Sequence, residues 1–214
     1  MSSLINTEAD LEQALAGLLA IDSRLAAVLA TAGTVPLRRR PGGLEGLARI
    51  VMGQQLSTAS AEAIWGRLRA AYEPFHHTTL LRARSAKLAR VGLSAAKVKT
   101  VKAIAQAIHA GALDFDALAG MTADEAHATL TAVHGIGPWT TDLYLLSCVG
   151  HPDAWPAGDL ALQEAARLAF GLKRRPTAKE MVALAETWRP WRGVAARLLW
   201  SYYRAVKRRD PAPL

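Results

Sequence analysis

The fold is decided by the stretch LTAVHGIGPWTTDLYLLSCVGHPDAWPAGDLALQ, which occupies residues 130–163. Gly135 and Gly137 can adopt backbone angles that are closed to residues with a Cβ atom. Pro138 suits the first turn of a helix, because it has no N–H group to lose there. We therefore predict a helix, a tight hairpin and a second helix, with Ile136 filling the space between the two helices. The N–H groups of the hairpin and of the second helix would point outward, where they could bind an anion.

The helix before the hairpin carries its own start signal. Thr122 is followed three residues later by Glu125, which is the spacing of a capping box, and apolar residues then recur at helical spacing. These features predict a helix from about Ala123 to Val133. The complete helix-hairpin-helix motif would then span about residues 123–148.

Helical periodicity continues over the rest of the chain, and no segment shows sustained alternation of apolar and polar residues. Two helices are predicted within residues 7–32, the second of them capped by Asp22 or Ser23. The Pro/Gly-rich stretch at 34–43 is predicted to be a linker, and a last helix is predicted to begin at Pro190. We expect about ten helices and no sheet. Further capping signals occur at Thr7 with Asp10, at Ser57, at Ser94 and at Thr177 with Glu180.

Length and composition restrict the class of protein. The chain has 214 residues, of which 51% are hydrophobic, but no apolar run approaches the roughly eighteen residues of a membrane span. Its first residues are polar and acidic, so no secretory signal is visible and a soluble cytoplasmic protein is predicted. The single Cys148 excludes an intrachain disulfide, a multi-cysteine zinc site and a four-cysteine iron–sulfur cluster, and we expect it to be buried. His76 and His77 are interpreted as loop residues, so no metal site is predicted.

The formal net charge of +8 and the sequence pI near 10.1 suit a polyanionic partner. Composition alone would describe a ribosome-associated or membrane-surface protein equally well. Basic residues gather in four places, and each cluster taken by itself is interpreted as a solvated face. The clusters are Arg38, Arg39 and Arg40; Lys97, Lys99 and Lys102; Lys173, Arg174 and Arg175; and Lys207, Arg208 and Arg209.

One combination of motifs resembles a known family. HGIGPWTTDLYLLS is followed, twenty residues after its Trp139, by Asp159 in PAGDLALQ. This combination resembles the helix-hairpin-helix, Gly/Pro-rich loop and aspartate signature of a DNA glycosylase superfamily. GIGPWT and PAGD are most similar to the bacterial 3-methyladenine DNA glycosylase II (alkylpurine) branch. The resemblance extends from about Leu44 to Arg204.

The resemblance implies an all-α fold of two helical subdomains with a cleft between them. Residues 44–151 would form a six-helix barrel that contains the helix-hairpin-helix, at about residues 123–148. Residues 1–43 would pack with residues 152–214 as one helical bundle. The functional site of this family lies in the cleft between the two.

Asp159 has two interpretations. It follows Gly158 and precedes an apolar helical pattern, so it is a good helix N-cap, which would suffice to explain most aspartates in such a place. The same position keeps a carboxylate ionised beside helix N–H groups, as is needed next to a developing cation. The resemblance implies that Asp159 is the catalytic residue.

Trp139 and Trp200 occupy the positions at which the alkylpurine branch places tryptophans beside its aspartate. An alkylated purine is cationic, and a cation over an aromatic face gains roughly 0.5 to 2 kcal/mol. The resemblance therefore implies that both bind the damaged base, although Trp200 taken alone would be interpreted as a core residue. Bifunctional relatives carry at the position of Trp139 a lysine that attacks the sugar. The resemblance thus implies a monofunctional enzyme that uses water and leaves an abasic site.

Two segments are implicated in holding DNA. VMGQQLS resembles the family segment whose exposed side chain enters the duplex from the minor groove. Gln55, or Leu56 beside it, would then fill the gap left by an extruded base. The alternative is that this break between two helices is an ordinary solvent-exposed corner. The resemblance also implies that the hairpin holds a DNA phosphate and so fixes register and not sequence. The hairpin residues implicated are His134, Gly135, Ile136, Gly137 and Thr140.

The function predicted is base excision repair of alkylated purines by an N-glycosyl hydrolase of the DNA-3-methyladenine glycosylase II type. The alternative is a non-catalytic helix-hairpin-helix protein that only binds DNA. The expected partner is double-stranded DNA with alkylated bases, the expected state is a monomer, and no membrane is involved. No cofactor is required, and a monovalent cation at the hairpin is left open.

The sequence departs from the family pattern in two ways. Leu44 stands where many members have an aromatic residue, and the chain has no room for the N-terminal β-rich portion that some members carry. The range of bases that the protein removes is therefore left open.

Overall fold

The computed structural model describes residues 4–207, with Thr58 described by its backbone alone. This part of the chain contains twelve α-helices and no β-strand, so the all-α prediction is confirmed. Short 3₁₀ helices lie at Ala117–Gly120 and Glu186–Trp188, and a π-helical turn lies at Leu145–Val149. The helices are α1 (Glu8–Ile21), α2 (Leu25–Ala32), α3 (Gly43–Gly53), α4 (Thr58–Ala71), α5 (His77–Arg82), α6 (Ser85–Arg90), α7 (Ala95–His109), α8 (Ala123–Thr131), α9 (Pro138–Tyr144), α10 (Leu160–Ala169), α11 (Ala178–Ala185) and α12 (Arg192–Lys207).

The described residues divide into two compact units. Arg40–Val149 form the central unit, and residues 4–39 with those from 150 to 207 form the terminal unit. In the central unit, α3 packs against α4, α7 and α9, and α8 packs against α9. Its core is apolar, and Cys148 is buried there as expected. Fully buried members of this core include Leu47, Val51, Leu68, Leu80, Leu88, Val101, Ile104 and Leu130.

The terminal unit is built around α12, which packs against α1, α2 and α10. All eight residues of the first half of α12 are buried, because three other helices of the unit pack against this helix. Trp188 is completely buried just before this helix, and its Nε1–H donates to Asp22 Oδ2 at 2.9 Å. That bond ties the segment before α12 to the end of α1.

Most of the predicted helix starts are confirmed. Thr7, Thr122 and Thr177 each form a complete capping box with the acidic residue three positions later. Ser57 and Ser94 cap α4 and α7 through their hydroxyl oxygens. These signals are local in sequence, since one side chain satisfies an N–H group of its own first turn.

Three local predictions were wrong. Neither Asp22 nor Ser23 caps α2, because the N-cap is Arg24. Asp22 instead accepts side-chain hydrogen bonds from Arg24 and Trp188, and these bonds lower its pKa to about 2. His76 and His77 are not loop residues, because His76 caps α5 through its Nδ1 atom and His77 is the first residue of that helix. The last helix begins at Arg192 and not at Pro190.

Two sequence-based expectations concern the chain as a whole. None of the helices in residues 4–207 combines the length and the apolar character that a membrane span needs. The basic cluster that begins at Lys207 continues in Arg208 and Arg209, which lie outside the described residues.

Candidate functional site: an aspartate at a helix start and a glycine hairpin

The hairpin joins α8 to α9 within six residues. The N–H of Ile136 donates to the carbonyl of Val133 at 3.0 Å, and the Ile136 side chain is only 4% exposed. Gly135 has a φ of +84°, and a Cβ atom at this position would lie 1.9 Å from Thr100 Oγ1. The close approach of α7 and the positive φ together require glycine here. The burial of Ile136 and the tight turn at Gly135 agree with the predicted hairpin.

The outer surface of the hairpin consists of exposed backbone. His134, Gly135 and Gly137 are exposed, and of the amides of residues 135–137 only that of Ile136 donates to a described residue. Thr140 differs from them, because its side chain is 2% exposed and its Oγ1 accepts a 2.7 Å bond from Gln54 Nε2. Thr140 is therefore buried as a whole residue, unlike the three exposed residues of the hairpin.

The 53–57 loop, which comprises the last residue of α3 and the four residues that connect this helix to α4, presents Gln55 and Leu56 to solvent. Gln55 has a φ of +56°, in the left-handed region that few non-glycine residues adopt. Leu56 is 41% exposed. The loop thus carries both candidates for the side chain that would enter DNA.

A groove of about 430 Å³ runs between the 53–57 loop and the hairpin within the central unit. Its lining is polar and basic, and the α7 residues Lys97 and Lys99 contribute both of its lysines. The full lining consists of Gln54, Gln55, Ser94, Ala96, Lys97, Lys99, Thr100, His134 and Gly135. The predicted extrusion loop and the predicted phosphate hairpin therefore border the same groove.

Asp159 caps α10 in the terminal unit, as predicted. Its Oδ1 atom accepts a 2.8 Å hydrogen bond from the N–H of Leu162 and a 3.1 Å bond from Trp200 Nε1. The carboxylate is half-buried, and one of its oxygens is thus fixed by a helix start and by an indole of α12. A carboxylate held in this way can stabilise a positive charge or orient a water molecule without rearranging.

The loop that leads to Asp159 is anchored to the start of α12 by a buried ion pair. Arg192 donates to both carboxylate oxygens of Asp153, through Nε at 2.9 Å and through Nη2 at 2.8 Å. The backbone N–H of Gly193 also donates to the carbonyl of Pro152 at 2.8 Å. Both residues of the ion pair are buried, so this anchor fixes the loop to the helix that carries Trp200.

The two candidate base-binding tryptophans belong to different units. Trp139 is the second residue of α9 and is half-buried. Trp200 is half-buried in α12, where its indole N–H reaches Asp159. Sequence reasoning assigned Trp200 to the base and did not foresee this hydrogen bond.

Sequence reasoning also missed Gln54 and Lys97. Lys97 Nζ donates to the carbonyls of Met52 at 2.8 Å and of Gln54 at 3.0 Å. The pKa of Lys97 is lowered by burial. From the sequence, Lys97 was named only as a member of a basic cluster that was interpreted as a solvated face, and that interpretation is wrong for this residue, which is half-buried. Gln54 carried no signal that distinguished it from Gln55.

Comparison with known proteins gives a family match and related sequences. A family model described as "HhH-GPD superfamily base excision DNA repair protein" matches residues 48–190. The probable bifunctional transcriptional activator/DNA repair enzyme AlkA of Mycobacterium tuberculosis is 33% identical over 209 residues. That match covers 92% of this chain and 41% of the relative, so this chain spans less than half of the length of that protein.

Two solved structures share the fold. The Schizosaccharomyces pombe 3-methyladenine DNA glycosylase in complex with abasic DNA superposes with a TM-score of 0.77 at 26% identity, over 88% of this chain and 95% of that one. The DNA-3-methyladenine glycosidase of Bacillus halodurans gives a TM-score of 0.80 at 29% identity, over 89% of this chain and 88% of that one.

Proposed function

Because the chain belongs to the HhH-GPD superfamily of base excision DNA repair proteins, we propose that it is a monofunctional DNA glycosylase that removes alkylated purines from duplex DNA. The bases proposed are of the 3-methyladenine and 7-methylguanine type. The observation that carries the proposal is the Asp159 carboxylate, which a helix start and the Trp200 indole hold in one orientation. Both solved structures compared above bear names of 3-methyladenine glycosylases or glycosidases, and one contains abasic DNA.

The proposed reaction breaks the bond between C1′ of the deoxyribose and a ring nitrogen of the base. The electron pair of this bond leaves with the base, and a purine alkylated at N3 or N7 thereby departs as a neutral molecule without a strong general acid. The sugar becomes oxocarbenium-like, as in glycoside hydrolysis. Water then adds its oxygen to C1′ and loses a proton, which leaves an abasic site. Asp159 stabilises the cation and orients or deprotonates the water.

The damaged base is recognised by its charge. Trp139 and Trp200 offer aromatic faces, and each cation–π contact contributes roughly 0.5 to 2 kcal/mol. Normal purines are neutral and can stack on these faces without the cation–π contribution, so the aromatic residues favour alkylated bases. In this proposal Trp200 has two roles, because its ring binds the base while its N–H fixes Asp159.

Water, and not a protein amine, attacks the sugar. A lyase needs an amine that bonds to the sugar carbon, and an indole at the position of Trp139 cannot form a Schiff base. No lysine lies between Thr122 and Gly171, so no nearby residue of this segment supplies the amine. The product is an intact strand with an abasic site.

The remaining site residues hold the DNA. The exposed amides of Gly135 and Gly137, with nearby Thr140, bind a phosphate of the backbone, and His134 flanks that phosphate. Buried Ile136 keeps the hairpin in shape. Gln55 or Leu56 fills the space left when the damaged nucleotide leaves the stack, which requires a few kcal/mol of unstacking. The protein acts as a monomer, and its cytoplasmic location stays a prediction.

A monovalent cation at the hairpin is part of the proposal. The carbonyls of His134 and Ile136 accept no hydrogen bond from a described residue, and carbonyl oxygens are suitable ligands for such an ion. When bound, the ion would supply positive charge between the hairpin and a DNA phosphate.

An excision assay tests the proposal. Methylated duplex DNA is incubated with the protein, and the released bases are separated by chromatography; 3-methyladenine or 7-methylguanine should appear, and no base should be released from unmethylated duplex. The strand should stay intact until alkali is added, and borohydride should trap no protein–DNA adduct. Tight binding without base release would instead indicate a non-catalytic helix-hairpin-helix protein. A trapped adduct would contradict the monofunctional reaction.

A further inference from the structure

The 53–57 loop is held by two anchors that sequence reasoning did not assign. On one side of Gln55, the ammonium of Lys97 donates to the carbonyls of Met52 and Gln54. The same Gln54 donates through its side-chain amide to Thr140 Oγ1 at 2.7 Å. The loop is therefore fastened to α7 by its backbone and to the hairpin helix α9 by a side chain.

These bonds are well suited to hold an unfavourable backbone conformation. Gln55 has a positive φ and is exposed, so its own side chain makes no buried contact that would keep the residue left-handed. The carbonyls that Lys97 binds belong to the last turn of α3 and to the residue after it, where a cation complements the negative helix end. The anchors therefore determine the direction in which Gln55 and Leu56 point.

Lys97 differs from a lysine that merely contacts a polyanion. Its side chain is half-buried and engages two carbonyl oxygens, whereas the neighbouring Lys99 is exposed in the same groove. Burial lowers the pKa of Lys97, as expected for an ammonium that is partly removed from water. Its position is thus that of a structural tie beneath the loop.

We propose that Lys97 and Gln54 are positioning residues for base extrusion, which hold the Gln55–Leu56 tip in register with the phosphate-binding hairpin. The proposal rests on the proposed glycosylase function, since it assigns the tip to the space left by the extruded nucleotide. Lys97 presets the tip, and the bond from Gln54 to Thr140 ties it to α9. A phosphate held at the hairpin and a side chain inserted into the stack then act at a fixed separation.

The chain offers a matched control for Lys97. Lys102 lies on the same helix α7, is also half-buried, and donates through Nζ to the carbonyl of Leu81 near the end of α5. Lys97→Met and Lys102→Met therefore remove the same charge and the same kind of lysine–carbonyl bond. Only Lys97→Met releases the 53–57 loop.

The experiment uses a methylated duplex with 2-aminopurine next to the damaged nucleotide, so that initial binding, loss of stacking and base release are measured separately. Lys97→Met should slow the fluorescence rise at least about tenfold, and Lys102→Met less than about threefold. The effect of Lys97→Met should be smaller when the damaged base is mispaired, because less stacking then opposes extrusion. Gln54→Met, which removes the other anchor, should give the same pattern and decides the question if Lys97→Met does not fold.

A double-mutant cycle separates positioning from a general structural role. If Lys97 acts through the tip, its replacement should change extrusion less than about threefold in a Gln55→Ala/Leu56→Ala background, because no tip remains to be positioned. An undiminished effect in that background, or equal effects of Lys97→Met and Lys102→Met, would overturn the inference. The fluorescence change does not require cleavage, so a wild-type protein that extrudes but releases no base would disprove the proposed function and leave this inference testable.

Discussion

At the scale of single residues, the chemistry depends on how Asp159 is held. A carboxylate at a helix start is common, and the capping role alone would explain its bond to Leu162. The bond from Trp200 Nε1 to the same oxygen has no role in capping. It joins the candidate base-binding residue to the candidate catalytic residue, and it therefore gives a test that distinguishes function from helix stability.

Trp200→Phe retains an aromatic face and removes the N–H donor to Asp159. A hydrogen bond to a charged group contributes about 1.5 to 3 kcal/mol, so single-turnover excision should slow by roughly ten- to hundredfold if that bond acts in the transition state. Trp191→Phe is the control, because Trp191 is also half-buried and packs near Gly17 of α1. Equal rates for the two variants would show that the indole N–H has no catalytic role.

At the scale of elements, much could be predicted from sequence because the signals are local. The three capping boxes and the Gly-Ile-Gly-Pro hairpin each depend on residues within about one turn of each other. The anchors of the 53–57 loop could not be predicted, because Lys97 and Gln54 are 43 residues apart and Gln54 and Thr140 are 86 residues apart. His76 was misinterpreted because its capping bond has no distinctive spacing.

The two hairpin glycines should respond differently to alanine. Gly135 combines a φ of +84° with a close approach to Thr100, so Gly135→Ala should lower the free energy of unfolding by about 1 to 3 kcal/mol. Gly137 has a φ of −92°, and a Cβ atom there would meet nothing within 4 Å. Gly137→Ala should therefore fold normally but bind undamaged duplex several-fold more weakly, since the new methyl group hinders approach of a phosphate. Denaturant titration and fluorescence anisotropy measure the two effects. An unchanged affinity for Gly137→Ala would contradict the phosphate-binding hairpin.

The Asp153–Arg192 ion pair should be important for the stability of the loop before Asp159. Asp153→Ala leaves the buried Arg192 guanidinium without that carboxylate, and breaking a buried pair in this way costs about 3 to 5 kcal/mol. Glu62→Ala removes half of an exposed ion pair with Arg49, and its cost should be about 0 to 1 kcal/mol. Chemical denaturation of both variants gives the comparison. Similar losses would mean that the buried pair does not anchor the loop.

At the scale of the whole molecule, charge governs the encounter with DNA. The net charge of +8 belongs to the entire chain, and phosphate contacts release counterions when DNA binds. The logarithm of the affinity for undamaged duplex should therefore fall linearly with the logarithm of salt concentration, with a slope of about −0.9 per neutralised phosphate. Anisotropy titrations across a salt series measure this slope. A salt-independent affinity would contradict binding through the backbone.

The central claim is that Asp159 promotes hydrolysis, and single-turnover base release by Asp159→Asn tests it most directly. Asparagine is also a good N-cap, so this variant should keep its free energy of unfolding and its affinity for damaged duplex. Glu164→Gln, which changes a carboxylate paired with Arg167 in the same helix, is the matched control and should release base at the wild-type rate. We predict that Asp159→Asn releases methylated bases roughly 10³-fold more slowly or worse, whereas a folded variant with a near wild-type rate would contradict the account.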